Sequence, residues 1–353
     1  MASYLGIDWG THSSKWAYQM STGNPVVGSI WDSAVTCIEG KLSMFTLEEH
    51  YQDQRRELGL KRKLIQDPDQ SFWEGPRPKL GTTLGEAVVF SLLVLLSDAT
   101  TQLARRGKGL LEVSPLSVRF SHPNWISADN VRALSCFRDA VVVALGIFAD
   151  GIELEPGERR FCIPVDALKK AVHDHRNLSA NLSEFPDRYQ HAEYLACSEG
   201  EVKGIKWQLV FESCAAGFPY LLEGERETFE EELKKFPEHD RIRKLLVVDV
   251  GAGSTDAGYM IRTIRPRNTQ GIMKPLLIWL PAADALEVAG RWLTDKIHAE
   301  FKQQGRTVTQ FEVEDFKISR HQDWYDKPYV REWTGHIAEH IREYVRTIHS
   351  CPN

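Results

Sequence analysis

The sequence predicts an α/β protein of two lobes, each a mixed sheet of hairpin and parallel strands flanked by helices. Three observations carry that expectation. Short apolar stretches at Tyr4–Asp8, Leu116–Phe120, Trp207–Glu212 and Leu245–Asp249 have strand length and end at turn residues. They alternate with longer helical stretches at Leu84–Arg105, Asn130–Leu145 and Ala282–Phe301. The 353 residues exceed one ordinary domain of ~150.

Charge and composition narrow the function. Forty-three Lys and Arg against 49 Asp and Glu leave a net charge of −6, which argues against a dedicated nucleic-acid binder. Hydrophobic residues at 42% and charged residues at 26% suit an ordinary folded chain and argue against wholesale disorder. The six cysteines, Cys37, Cys136, Cys162, Cys197, Cys214 and Cys351, form no C-x-x-C pair. That pattern suits a reducing cytoplasm better than a disulfide scaffold or a structural zinc site. The N-terminus lacks a basic segment followed by an apolar one. The apolar run Ala87–Leu96 falls short of the ~20 residues a bilayer span needs, so a buried helix and no membrane partner are expected.

Along the chain, Lys15–Met20 reads as a strand and Gly23-Asn24-Pro25 as a hairpin turn. Residues 47–65 read as a charged helix, and Asp67–Pro78, with three prolines and a glycine, as a loop. Leu84–Arg105 reads as a long amphipathic helix with Gly107 past its end. Pro123 breaks the chain before a helix capped by Ser127. Residues 150–205 carry no clear fold signal. Ser213–Leu222 reads as a small-residue helix, and Glu223–Lys244 as a solvated charged stretch. Strands are expected at Ala257–Arg262 and Leu276–Leu280. Val308–His349 reads as two helices around a loop at Asp323–Lys327.

One pattern occurs twice. A strand, an aspartate, a turn of Gly, Ser and Thr, and a second strand fall at 4–20 and again at 245–262. The first turn is Gly6-Ile7-Asp8-Trp9-Gly10-Thr11-His12-Ser13-Ser14; the second is Asp249-Val250-Gly251-Ala252-Gly253-Ser254-Thr255-Asp256. Glycines let backbone N–H groups approach an anion, and successive amides form a nest for phosphate. Hydroxyls at Thr11, Ser13, Ser254 and Thr255 can add donors. Asp8 and Asp249 cannot bind phosphate directly; they suit Mg²⁺ held partly through water. Two such hairpins facing each other would clamp a polyphosphate.

These residues resemble the actin / heat-shock-70 / sugar-kinase superfamily, most closely the nucleotide-binding domain of heat-shock-70-type chaperones. Gly6–Thr11 looks like its first phosphate motif and Asp249–Asp256 its second. Further stretches follow the family's order: Leu116–Pro123, the Phe211-Glu212-Ser213-Cys214-Ala215-Ala216 helix start, and Val288-Ala289-Gly290 where the family has a Gly-Gly pair.

The resemblance implies an actin-like, ribonuclease-H-like ATPase fold with a nucleotide cleft between lobes. Lobe one would span residues 1–210, with 150–205 an insertion, and lobe two residues 211–353, C-terminally incomplete. It further implies ATP or ADP with Mg²⁺. Asp8, Glu212, Asp249 and Asp256 would surround the metal and the attacking water, with Asp8 and Asp249 as the metal carboxylates. Gly10, Thr11, His12, Ser13, Gly251, Ala252, Gly253, Ser254 and Thr255 would lie along the phosphates. Lys61 or Lys63 would take the place of the family's lysine near the γ-phosphate.

Three departures stand out: His12 replaces a small hydroxyl residue, Ala252 a glycine, and Pro219 sits inside the expected helix. The function implied is a Mg²⁺-dependent ATPase acting as a chaperone-like conformational switch with an unidentified protein partner or client. The alternatives are an actin-like assembly protein, a small-molecule kinase, and a nucleotide-binding scaffold without turnover. Outside this frame, His336-Ile337-Ala338-Glu339-His340 fits the H-x-x-E-H zinc pattern without an evident third ligand.

Overall fold

The computed structural model describes residues 3–20, 25–47, 57, 59–66, 72–75, 77, 79–107, 116–122, 128–157, 159–180, 182, 196–213, 215, 241–251, 253–265, 274–279, 284–286 and 288–350. The chain divides into two compact units, residues 1–211 and 212–353.

Unit one is built on a mixed sheet. Its first strands are β1 (Ser3–Trp9), β2 (Ser13–Met20), β3 (Val26–Val27) and β4 (Trp31–Asp32). A hairpin joins β1 to β2, while β7 (Leu116–His122) runs parallel to β1, and β11 (Ile205–Phe211) runs parallel to β7. With β10 (Ala196–Val202) on the edge, the order is β10-β11-β7-β1-β2-β3, and β4 pairs with β2.

Strand alternation sends Leu5, Ile7 and Trp9 of β1, Val118 and Phe120 of β7, and Trp207, Leu209 and Phe211 of β11 to one face, where all are buried. Two long helices cover that face, α2 (Leu84–Ala104) and α3 (Ala128–Ala149), which follow the short α1 (Leu60–Gln66). Trp9 ties them together. Its indole N–H donates to Ser91 of α2 at 2.9 Å, and its ring stacks on Phe137 of α3 at 5.0 Å between centroids. Each fully buried aromatic of this kind contributes roughly 2–3 kcal/mol of transfer free energy.

The expected amphipathicity of α2 does not hold. Every residue from Ala87 to Leu96 is buried, because sheet and neighbouring helices enclose the helix on almost all sides. Among the described residues, α2 is the one helix long and apolar enough to cross a membrane, although the apolar run within it is short. Its start is fixed by a capping box between Thr83 and Glu86.

A second small sheet has the order β5-β6-β9-β8, from β5 (Thr36–Ile38), β6 (Lys41–Phe45), β8 (Glu155–Pro156) and β9 (Arg160–Pro164). The stretch expected to be a featureless insertion thus supplies β8, β9, α4 (Val165–His175) and the edge strand β10. Strand β9 was illegible because its partner, β6, lies more than a hundred residues upstream. Of the charged helix expected over 47–65, only the end is helical among the described residues: Glu57 instead forms a bridge to Val35, and α1 begins at Leu60. Ser127, Pro123 and the turn at 23–24 lie outside the described residues.

Unit two contains β12 (Arg241–Val250), β13 (Thr255–Arg265) and β14 (Lys274–Trp279), all antiparallel, with β15 (Asp284–Leu286) pairing to the start of β13. Strand β12 reaches back into the expected charged stretch, because Arg241 to Lys244 continue in register with β13. The helix expected over 282–301 is shorter. Asp284–Leu286 pairs with Thr255–Ala257, so the chain is extended there, and helix α5 occupies Gly290–Gln303. Three helices follow rather than two: α6 (Gln310–Ser319), α7 (His321–Trp324) and α8 (Pro328–Ser350). Leu293, Ile297, Phe301, Val313 and Val330 form their shared core. Of the helix expected over 213–222, Ser213 and Ala215 are helical, and residues 216–240 lie outside the described residues.

Candidate phosphate-binding turns

The two hairpins share one construction. In the first, Asp8 pairs with Lys15 and Trp9 with Ser14, enclosing the loop Gly10–Ser13. In the second, Asp249 pairs with Asp256 and Val250 with Thr255, enclosing the loop Gly251–Ser254. Each therefore places an aspartate one pair below a loop of the same length that opens with glycine.

Close approach of the backbone dictates that glycine in the first loop. A Cβ at Gly10 would collide with the carbonyl oxygen of Ser13. In the second loop the Gly251 N–H donates to the Ser254 carbonyl at 2.9 Å, and a Cβ at Gly251 would lie 3.2 Å from that same oxygen.

The first turn is anchored from outside. Ser33 donates its N–H to the His12 carbonyl at 2.9 Å, and the hydroxyls of Ser14 and Ser33 lie 2.7 Å apart. The His12 side chain is exposed, while Thr11 and Ser13 are half-buried. Asp8 lies on the face of the sheet opposite the buried tryptophans, near the carboxyl ends of β1 and β7, where ligands bind in open α/β sheets. One oxygen accepts from Ser121 at 2.9 Å; the other pairs with Lys15 at 3.3 Å. The sequence pattern did not single out Lys15 or Ser121. Pairing register alone brings them to Asp8.

Within unit two, Asp256 is 1% exposed and accepts from Ser254 Oγ at 2.6 Å. Asp249 lies directly opposite it in the ladder. Two carboxylates paired across strands are oxygen donors of the kind a hard divalent cation takes. Thr255 points elsewhere. It is fully buried and donates to the Val288 carbonyl at 2.7 Å, so its hydroxyl is committed to structure. Ala252 lies outside the described residues, and Gly253 is half-buried.

Glu212, the residue after β11, is half-buried. Its neighbour Ser213 is fully buried and seats against Gly258 of β13, where an added Cβ would come within 2.5 Å of Ser213 Oγ. Gly258 lies two residues along the same strand face from Asp256, so this close approach brings the 212–213 turn onto the face that carries Asp256.

The two lysines differ. Lys63 is ion-paired to Glu57, a carboxylate 7% exposed. Lys61 is itself buried, 4% exposed, on the same helix α1.

Burial pushes Cys136 up to about 11 and also raises Cys162, whose Sγ lies against Glu155. His336 and His340 line a cleft of about 470 Å³ with Glu332, Glu339 and Glu343 of α8 and with Leu286. Among the described residues no three His, Cys, Asp or Glu side chains converge as a metal site.

No protein-family model matches the chain, and no curated protein does. Among solved structures, the Ppx/GppA phosphatase of Aquifex aeolicus, a type II variant, matches at 11% identity with a TM-score of 0.28. The match covers 85% of this chain and 56% of that one, so the chain spans little more than half of that protein's length. On its own elements the chain is a mixed α/β protein of two units, with mixed and antiparallel sheets flanked by helices.

Proposed function

We propose that this chain binds Mg–ATP through its two glycine-hydroxyl turns and acts as an ATPase of the actin / heat-shock-70 kind, a nucleotide-driven conformational switch for a protein partner. The observation that carries this reading is the hairpin built twice, with the same loop length and an aspartate at the same place below each loop. Coincidence of length, glycine and aspartate is expected of two phosphate cradles and of few other devices.

The roles follow from the chemistry. Amides of Gly10–Ser13 and those of the second turn beyond Gly251, with the hydroxyls of Thr11 and Ser13, would offer donors to phosphate oxygens. Lys15, paired with Asp8, adds an exposed amine at the mouth of the first turn. Asp8, Asp249 and Asp256 would hold Mg²⁺, which when bound neutralises charge on the phosphates. Glu212, half-buried beside the fully buried Ser213, would be the carboxylate to orient and deprotonate an attacking water. Lys61 or Lys63 would meet the developing charge on the transferred group; the Lys63 amine is already paired with Glu57.

Calorimetric titration with ATP and ADP, with and without Mg²⁺, tests this directly. The expected result is Mg²⁺-dependent binding that Asp249→Ala abolishes. No heat at millimolar nucleotide from a folded sample sinks the proposal. Phosphate release then separates an ATPase from a second reading, a nucleotide-bound scaffold without turnover. That second reading is favoured by the ion pairs already formed at Asp8 and Lys63.

A further inference from the structure

Three successive carbonyls in unit two are each held by a side chain from a different element. Thr255 of β13 donates to Val288 O at 2.7 Å, Trp333 of α8 donates its indole N–H to Ala289 O at 3.1 Å, and Lys317 of α6 donates to Gly290 O at 3.1 Å. No side chain caps the N-terminus of α5 at Ala289, so partners from other elements fix where that helix begins.

The middle contact reaches the candidate turn. Ala289 C=O and Gly290 N–H are the two ends of one rigid peptide plane. Trp333 holds its acceptor end, and its donor end gives a hydrogen bond to Gly251 O at 3.0 Å. Rotation of that plane would break both bonds. Chained hydrogen bonds also polarise one another, so the indole strengthens the hold on Gly251.

Lys317 secures the next peptide. Its amine, on a side chain 15% exposed, also donates to Thr294 Oγ1 at 2.8 Å and pairs with Glu314 at 2.8 Å. An ammonium with three acceptors and little water is a fixed strut and not a surface cation.

We propose that Trp333 and Lys317 are positioning residues for the Gly251–Ser254 turn. They touch no phosphate. Trp333 locks the Ala289–Gly290 peptide, which pins Gly251 by its carbonyl, and Lys317 locks the peptide that follows it. The inference rests on the proposed nucleotide-binding role of that turn.

The test uses the full chain with Trp333→Phe, which keeps an aromatic ring and removes the N–H, with Lys317→Met, and with Lys317→Arg. Three quantities are read: the unfolding midpoint, Mg–ATP affinity, and amide exchange at Gly290. Trp333→Phe and Lys317→Met should each weaken Mg–ATP binding about tenfold while the chain stays folded. Lys317→Arg should recover most of that loss. Exchange at Gly290 should accelerate about tenfold in Trp333→Phe, with exchange in α2 unchanged.

Unchanged affinity in both loss variants, against a wild type that binds, overturns the inference and leaves the proposed function standing. A wild type that binds no nucleotide removes the proposed function instead. The exchange measurement then decides alone, and unaltered exchange at Gly290 in Trp333→Phe overturns the inference.

Discussion

Ser121, near the carboxyl end of β7, donates its hydroxyl proton to Oδ1 of Asp8 on the parallel strand β1 at 2.9 Å. That bond leaves the second carboxylate oxygen, already beside Lys15, as the outward-facing one. Asp8→Asn keeps the shape and the Ser121 contact while removing the charge. Because the Asp8 side chain is 40% exposed, the stability change should stay within about 1 kcal/mol. Mg²⁺-dependent ATP affinity should fall at least tenfold, read by calorimetry beside a denaturant titration.

Glycine is demanded unequally by the two loops. Gly10→Ala forces a methyl into the Ser13 carbonyl, so the loop must open, at a cost of about 2–3 kcal/mol. Gly251→Ala meets Ser254 O at 3.2 Å and should cost about 1 kcal/mol or less. Urea midpoints of the two variants, measured side by side, check the order. Equal losses would mean the loops are not built as described.

A buried carboxylate fastens the first hairpin to α2. Asp98 Oδ2 accepts both indole N–H groups, from Trp16 at 2.7 Å and Trp31 at 3.0 Å, with Gln102 on the same carboxylate. Asp98→Ala leaves two buried donors without an acceptor, and the expected loss is about 3 kcal/mol. Tryptophan emission should shift in the same variant. Asp98→Asn, which keeps an acceptor oxygen, should lose less.

One carboxylate makes stability depend on pH. Burial pushes Asp139 on α3 up to about 6, with Arg138 pulling weakly the other way. The folded chain thus holds this proton more tightly than the unfolded chain does. The Asp139 contribution is most favourable below pH ~4 and is lost as pH rises from about 4 to about 6. With the side chain 27% exposed, the loss is reduced by solvent screening to about 1–2 kcal/mol. Asp139→Asn should flatten that slope and raise the unfolding midpoint at pH 7. An unaltered pH profile refutes the assignment.

Much of this architecture was readable from local pattern. The paired glycine-aspartate turns lie in strand-turn-strand stretches that the sequence pattern marks out by itself. Other features depended on partners distant in sequence. Asp284–Leu286 is extended because β13 is beside it; nothing in three residues distinguishes that from a helix start. Helix α2 is buried on almost every side from Ala87 to Leu96, so periodicity could not orient it. Lys15 reads as an ordinary outward strand residue until the register sets it opposite Asp8. Thr255 was grouped with the donors by its residue type, and only the structure turns its hydroxyl to Val288.

The enclosure of α2 has a consequence for biosynthesis. Synthesis runs from the N-terminus, so Leu84–Ala104 leaves the ribosome before β7, α3 and β11 exist. Roughly sixty to seventy further residues must follow before α4, at 165–175, completes the surface that buries it. Throughout that interval a nascent segment with the composition of a bilayer span stands in water. Slow translation or truncation between 104 and 165 should therefore give insoluble or misdirected product, whereas truncation after β11 should spare solubility of the first unit.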